Sequence, residues 1–286
     1  MQLHWQTSRY LVDLSQPRVM GIVNVTPDSF SDGGRYANTR SAILHCEKLL
    51  AEGSDILDIG GESSRPGTPP VSLDEELARV LPVLREAVAM GVPVSVDTYK
   101  PGVMRVALEL GADIINDIWA LRQPGAREVV AAHPSCGVCL MHMHGEPETM
   151  QRSPMIGDAV PQVHAFLANA TAAVRRAGVA PARIAWDPGI GFGKTVEQNF
   201  ALLARQGELL ADGYPLVAGW SRKSSLGTVT GLPVPDRLGA SVAAALLAAE
   251  RGARVLRVHD VKETVAALKV RNAMIEAEKS TAGKSK

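Results

Sequence analysis

Cysteine is scarce in this chain: three among 286 residues, Cys46, Cys136 and Cys139. So few make a poor disulfide framework, which argues against a fold held by cross-links. An excess of one charge is missing too. Thirty Lys and Arg balance thirty Asp and Glu, so bulk electrostatics draw the chain to neither nucleic acid nor an anionic membrane. No apolar run reaches the roughly 18 residues of a membrane span, and no basic or apolar leader opens the sequence. The expectation is a soluble cytoplasmic protein with no nucleic-acid or membrane partner. Two phosphate-binding signatures are also absent. The first β–α turn lacks G-x-G-x-x-G. Residues 189–195 (GIGFGKT) end like a P-loop, but Pro188 stands where that motif needs glycine.

What is present is apolar and regular. Apolar residues make up 46% of the chain, enough for a substantial core. Strand-like runs fall near 18–24, 55–59, 93–97, 112–116, 137–142, 183–187, 215–219 and 254–258. Helical segments separate most of them, with capping-box pairs at Ser72/Glu75, Thr195/Gln198 and Asp260/Glu263. Gly53, Gly91, Gly111, Gly178 and Gly213 stand where helix C-caps would fall, and Pro82 predicts a kink. Eight strands alternating with helices match an α/β fold of the (β/α)8 TIM-barrel type better than an open doubly wound sheet. Residues 1–17, with Trp5 and an apolar run at 10–12, predict a short strand pair capping the barrel bottom. One domain then covers 1–275, and 276–286, lacking an apolar stripe, reads as a frayed tail. The Ala-rich segment 238–249 predicts a helix buried between neighbours or used in a subunit contact.

Nearly every strand run ends in a polar residue: Asn24, Asp58, Asp97, Asn116, His142, Asp187 and the pair Arg257 and His259. The seventh instead runs into Gly219 and residues 220–224 (WSRKS). One such residue is an ordinary cap; a whole set at one barrel mouth reads as a site. Asp97, Asn116 and Asp187 suit a ligand edge rich in N–H donors, such as an aminopyrimidine-type heterocycle. Arg65, Lys223, Arg257 and His259 suit phosphate or carboxylate. Residues 20–34 (MGIVNVTPDSFSDGG) stand out because turn chemistry explains Pro27, Asp28 and the glycines but not an amide at a strand tip or Phe30 in a polar loop.

Other motifs read as structure. Cys136 and Cys139 lie in an apolar strand with no second pair, so they read as small buried residues. His142 and His144 lack the further ligands of a metal-dependent hydrolase. The glycines of 189–193 read as letting backbone lie against a ring, with Phe192 as a wall.

Together, residues 20–34, 58–67 (DIGGESSRPG), 94–100 (VSVDTYK), 114–121 (IINDIWAL), 140–144 (LMHMH), 187–194 (DPGIGFGK), 221–224 (SRKS) and 257–261 (RVHDV) resemble bacterial dihydropteroate synthases. The likeness runs in order from about 18 to 270. It implies a transferase that joins 4-aminobenzoate to (7,8-dihydropterin-6-yl)methyl diphosphate in folate synthesis, through a pterin-stabilised cation. It further implies Mg2+ as cofactor with Asn24 as a metal ligand, and a homodimer. Asp97, Asn116, Ile118, Met141, Asp187, Phe192, Gly219 and Lys223 would bind pterin. Phe30, Pro66 and Ser221 would form the aminobenzoate pocket, where sulfonamides also bind. Ser64, Arg257 and His259 would hold the diphosphate, and Asp32, Arg65 and Lys223 would serve catalysis. Ser64, Ile190, Trp220 and His144 depart from common family residues, and Ile190 and Trp220 are expected to reshape the pocket lining. A pterin-dependent methyltransferase would keep Asp97, Asn116 and Asp187 but not need residues 24–34 or 221–223. A zinc hydrolase would need His142 and His144, and a silent binding protein would not need the glycine-rich loops.

Overall fold

A computed structural model describes residues 3–26, 34–63, 68–147 and 149–282. The chain begins with β1 (His4–Gln6) and β2 (Leu11–Asp13), then enters the repeat with β3 (Arg18–Asn24) and α1 (Gly34–Ala51). β4 (Ile56–Gly60) and α2 (Leu73–Ala87) follow, then β5 (Val94–Asp97) and α3 (Pro101–Glu109), and β6 (Ile114–Asp117) and α4 (Ala126–Ala132). Next come β7 (Gly137–Met141) and α5 (Ala159–Arg176), then β8 (Ile184–Asp187) and α6 (Val196–Ala204). β9 (Val217–Ala218), α7 (Ser224–Thr230), α8 (Leu238–Glu250), β10 (Val255–Val258) and α9 (Val261–Ala282) complete it.

Among the described residues β3–β10 form one eight-stranded sheet in the order β8-β7-β6-β5-β4-β3-β10-β9. A parallel bridge between Trp186 and Leu216 joins its two edges. The result is a nearly closed (β/α)8 barrel, as the run of apolar segments predicts. β4, β6, β7 and β8 are buried along their whole lengths, as parallel strands with one face in the barrel and the other under helices must be.

Local signals act as the sequence indicates. Ser72 Oγ accepts the Glu75 N–H at 3.2 Å, and Thr195 and Gln198 form a reciprocal capping box. α2 runs through Pro82. The five glycines expected at C-caps have φ between 82° and 102°. Asp260, expected to pair with Glu263, gives both carboxylate oxygens to Arg222, the closer at 2.6 Å; a charge-assisted fork is the stronger partner. α9 continues through residues 276–282, with 276–280 exposed and Ser280 Oγ donating to the Glu276 carbonyl at 2.8 Å.

Three apolar clusters divide the barrel into levels. The largest lies between strands and helices and contains Val96, Ile115, Val138 and Trp186. A second fills the lower barrel interior with Met20, Ile56, Ile114, Cys139, Ala185, Val217 and Val255. The β1–β2 hairpin seals it from below with Trp5, Val12 and Leu14. Trp5 is fully buried, and its indole N–H donates to the Arg183 carbonyl at 2.9 Å, just ahead of β8. Replacing it with Ala would cost about 3–5 kcal/mol. The third cluster, Ile118, Met141, Met143, Met150 and Phe192, sits at the strand C-terminal ends. Between the second and third lies the polar level that holds the site.

Candidate active site

Strand register sets that level. Asn24 pairs with Gly60, Gly60 with Asp97, and Asp97 with Asn116. The amide and the two acceptors at these tips are therefore on one tier. Arg257 pairs in register with Met20, and Ile22 pairs with Asp58. Arg257 thus starts below the tier and extends up into it.

Its guanidinium organises the centre. Arg257 Nε–H donates to Asp58 Oδ2 at 2.6 Å, and Nη2 donates to Asp97 Oδ2 at 2.6 Å. Asn116 Nδ2 donates to the same Asp58 oxygen at 3.2 Å. Asp58 is fully buried, and its other oxygen has no partner among the described residues. Burial pushes the Asp97 carboxyl up from its ordinary range, and Arg257 opposes the rise. For Arg257 burial lowers the pKa, but Asp58 and Asp97 outweigh it and hold the group cationic.

Across the mouth stand Asp187 and Lys223. Asp187 Oδ1 accepts the Gly189 N–H at 2.7 Å. Burial raises its pKa, with that N–H and then Lys223 opposing. Burial pulls Lys223 down to about 8, and Arg257 adds to the fall. Lys223 Nζ lies 4.3 Å from the Phe192 ring centroid, a cation–π distance. A Cβ on Gly219 would come within 4.0 Å of Asp187 Oδ2, so glycine leaves the approach to that carboxylate bare. Ile118, Met141 and Phe192 gather in one cluster above, as walls for a flat ring.

A third group links two assigned subsites. The His259 N–H donates to Ser221 Oγ at 3.2 Å, and His259 Nδ1 lies 3.0 Å from the same oxygen. Burial, with Arg222 and Arg257, lowers His259 to about 3, so its ring is neutral at pH 7. Asn24 is half-buried at its strand tip. Phe30, Asp32, Ser64, Arg65 and Pro66 lie outside the described residues.

Several expectations change. The glycines at 189 and 193 are required by neighbouring backbone: a Cβ on Gly189 would sit 1.8 Å from the His142 carbonyl oxygen, and one on Gly193 2.2 Å from that of His144. Both have φ of 66°, which suits glycine. Ile190 and Trp220 do not line the pocket. Both are buried in the strand–helix layer, with Trp220 against Phe200 at 5.3 Å between centroids. All three cysteines are free and buried. His142 packs edge-on to Phe166, and burial lowers it to about 2.

Sequence reasoning missed other participants. Asp58 counted only as a strand tip, whereas it holds Arg257 and Asn116 together. Met143 and Met150 extend the apolar wall, with Tyr99 and Trp119 against it. Lys194, 3% exposed, donates from Nζ to the carbonyls of Gly189 at 2.8 Å, Phe192 at 3.1 Å and His142 at 3.4 Å.

Taken together, the tier offers carboxylates and an amide to a donor-rich edge, apolar walls for its faces, and the cations Arg257 and Lys223 beside them. The sequence profile of the family described as Pterin binding enzyme matches residues 20–259. A dihydropteroate synthase of Neisseria meningitidis serogroup B is 51% identical over 276 residues, 94% of this chain and 97% of that protein. A Xanthomonas albilineans dihydropteroate synthase structure with 4-aminobenzoic acid superposes with a TM-score of 0.90 at 48% identity, covering 96% of this chain and 98% of that one. A Burkholderia cenocepacia dihydropteroate synthase complexed with 7,8-dihydropteroate gives a TM-score of 0.88 at 50% identity, covering 97% and 98%.

Proposed function

From the premise that this chain belongs to the dihydropteroate synthase family of pterin binding enzymes, we propose how its residues divide the work. The reaction joins 4-aminobenzoate to (7,8-dihydropterin-6-yl)methyl diphosphate, giving 7,8-dihydropteroate and diphosphate, a step of folate synthesis. The C–O bond to diphosphate breaks, the aminobenzoate nitrogen bonds to the same carbon, and an amine proton is lost. The observation that carries the reading is the polar tier: Asp97, Asn116 and Asp187 around one mouth, roofed by Ile118, Met141 and Phe192.

Asp97, Asn116 and Asp187 accept or exchange hydrogen bonds with the pterin's amino and ring N–H edge, and Lys223 and Gly219 complete that subsite. A pterin is electron-rich, so diphosphate leaves with the positive charge spread over the ring. No nucleophile is required of the protein; positioning and charge stabilisation supply the acceleration. Arg257, His259 and Ser64 stabilise the leaving diphosphate. Phe30, Pro66 and Ser221 hold the aminobenzoate, and Asp32, Arg65 and Lys223 act at the reacting centre.

Mg2+ commonly keeps substrate phosphate and water ligands and takes only one or two protein oxygens. Asn24 offers one hard amide oxygen beside Gly60 and Asp97 in register. Among the described residues no three His, Cys, Asp or Glu side chains form a cage. This donor set fits a metal that comes with the diphosphate, where it would neutralise the leaving charge.

Val229, Leu232, Val234, Leu238 and Leu247 are exposed along α7, the following connection and α8. Such apolar surface favours an interface, and a second copy of this chain is the partner assigned to it. No described helix is long and apolar enough to cross a membrane; the cytoplasm is the compartment assigned. Incubating the protein with 4-aminobenzoate, the pterin diphosphate and Mg2+ should yield dihydropteroate. No product above a blank without protein would overturn the reading.

A further inference from the structure

Asp117 follows Asn116 at the end of β6, fully buried and turned to the opposite face of the strand. Both oxygens are spent on backbone: Oδ1 accepts the Trp119 N–H at 2.7 Å and Oδ2 the Leu121 N–H at 2.8 Å. The Asp117 carbonyl accepts the Ala120 N–H at 3.0 Å. This compact turn is strained. Ala120 has φ 51° and Leu121 φ 56°, a left-handed conformation that a Cβ disfavours.

Among the described non-glycine residues only one other, Arg222, has positive φ, and it stands between Ser221 and Lys223 in the site. Strained backbone persists where surroundings over-determine it, often at functional positions. Here glycine would relieve the strain, but it would also remove Leu121, which is fully buried in the main core. The turn anchors Leu121 in the strand–helix layer and delivers Ile118 and Trp119 to the apolar cluster at the mouth. Ile118 meets Met141 and Phe192, while Trp119 joins Asp97 and Tyr99 in lining the adjoining cleft. Arg122 closes the far side, its Nε–H on the Trp119 carbonyl at 2.9 Å.

We propose that Asp117 is a positioning residue of the pterin subsite. Its carboxylate holds the left-handed turn at Ala120 and Leu121, and the turn sets Ile118 and Trp119 as one wall for the pterin ring. The inference rests on the assignment of Ile118 to the pterin. It adds a residue that touches no substrate and acts through two backbone amides.

The test compares Asp117→Ala, Ala120→Gly and the double variant. Calorimetry with 7,8-dihydropterin-6-ylmethanol gives pterin affinity, steady-state kinetics give the KM of each substrate, and melting gives Tm. Asp117→Ala should weaken pterin binding about tenfold while moving the aminobenzoate KM by no more than about twofold. Ala120→Gly, by easing the left-handed turn, should restore at least about threefold of that loss in the double variant. Unchanged pterin affinity in Asp117→Ala, equal weakening of both substrates, or no recovery in the double variant would each overturn the role. If Asp117→Ala fails to fold, hydrogen exchange on the unaltered protein decides. Strong protection of the Trp119 and Leu121 amides supports the clamp, and exchange at open-loop rates refutes it. Turnover of the unaltered protein tests the assigned reaction separately, since pterin calorimetry reads the variants whether or not product forms.

Discussion

Arg257 reaches Asp97 across the barrel with Nη2 at 2.6 Å from Oδ2. The cation assigned to diphosphate therefore rests on a carboxylate assigned to the pterin. With Asp97 assigned to the pterin, the ligand's N–H edge and the guanidinium would compete for Oδ2. Arrival of the pterin would release one arm of Arg257, and the diphosphate attached to that pterin offers the arm a new anion.

Replacing Asp97 with Ala should then separate the two ligands. Pterin affinity should fall by about 100-fold, as expected for a buried charge-assisted pair lost from the site. Affinity for inorganic diphosphate with Mg2+ should hold or rise, because Arg257 loses a competitor. Calorimetry on each ligand alone checks this, and a parallel fall in both would contradict the competition.

Asp58 tests the other side of Arg257. It is fully buried and bonds both Arg257 and Asn116. Asp58→Asn keeps the shape and removes the charge. With one partner gone, a buried ion pair costs about 3 kcal/mol or more. The urea midpoint should drop accordingly, and the KM for the pterin diphosphate should rise more than that for aminobenzoate. A variant as stable as the parent would show that Asp97 alone holds Arg257.

The barrel was legible because parallel strands covered on both faces are written as continuous apolar runs, and all eight appear where those runs fall. The tips were legible because polar residues end nearly every run. Pairings were harder. Asp58 and Arg257 are 199 residues apart, and no local period connects them. Met143 and Met150 read as ordinary apolar residues, and only the turn of chain after β7 brings them to the mouth. Ile190 and Trp220 sit beside site residues in sequence but point into the helix layer, which adjacency alone cannot reveal. The glycines at 189 and 193 were legible as glycines, but their cause, the backbone of residues 142–144, belongs to another loop.

The apolar surface along α7 and α8 should be an interface between copies. Leu247 is 45% exposed on a helix whose other face buries Ala244, Ala245, Ala248 and Ala249, and Leu238, the first residue of that helix, is 41% exposed. Leu238→Glu with Leu247→Glu would place two charges on that surface without disturbing the core. Sedimentation should give a dimer for the parent and a monomer for the variant. Identical masses would remove this face as the contact.

Lys194 makes the stability of the fold depend on pH. Its ammonium is buried beneath the turn that carries Phe192, with three carbonyls as acceptors. Burial lowers its pKa from 10.5 to about 7, Asp187 opposing. Between those values the unfolded chain holds a proton that the folded chain has shed, so raising the pH favours the fold. Below about pH 7 both states are protonated and the burial cost stands in full. Lys194→Met removes this proton linkage and also the three hydrogen bonds. The Tm of the parent minus that of Lys194→Met should therefore grow more positive from pH 7 to pH 9. A difference flat across that window would mean that the lysine keeps its proton in the fold, its three acceptors outweighing burial. The same variant should raise the KM for the pterin diphosphate, because the carbonyls of Gly189 and Phe192 that position the ring's wall lose their common donor.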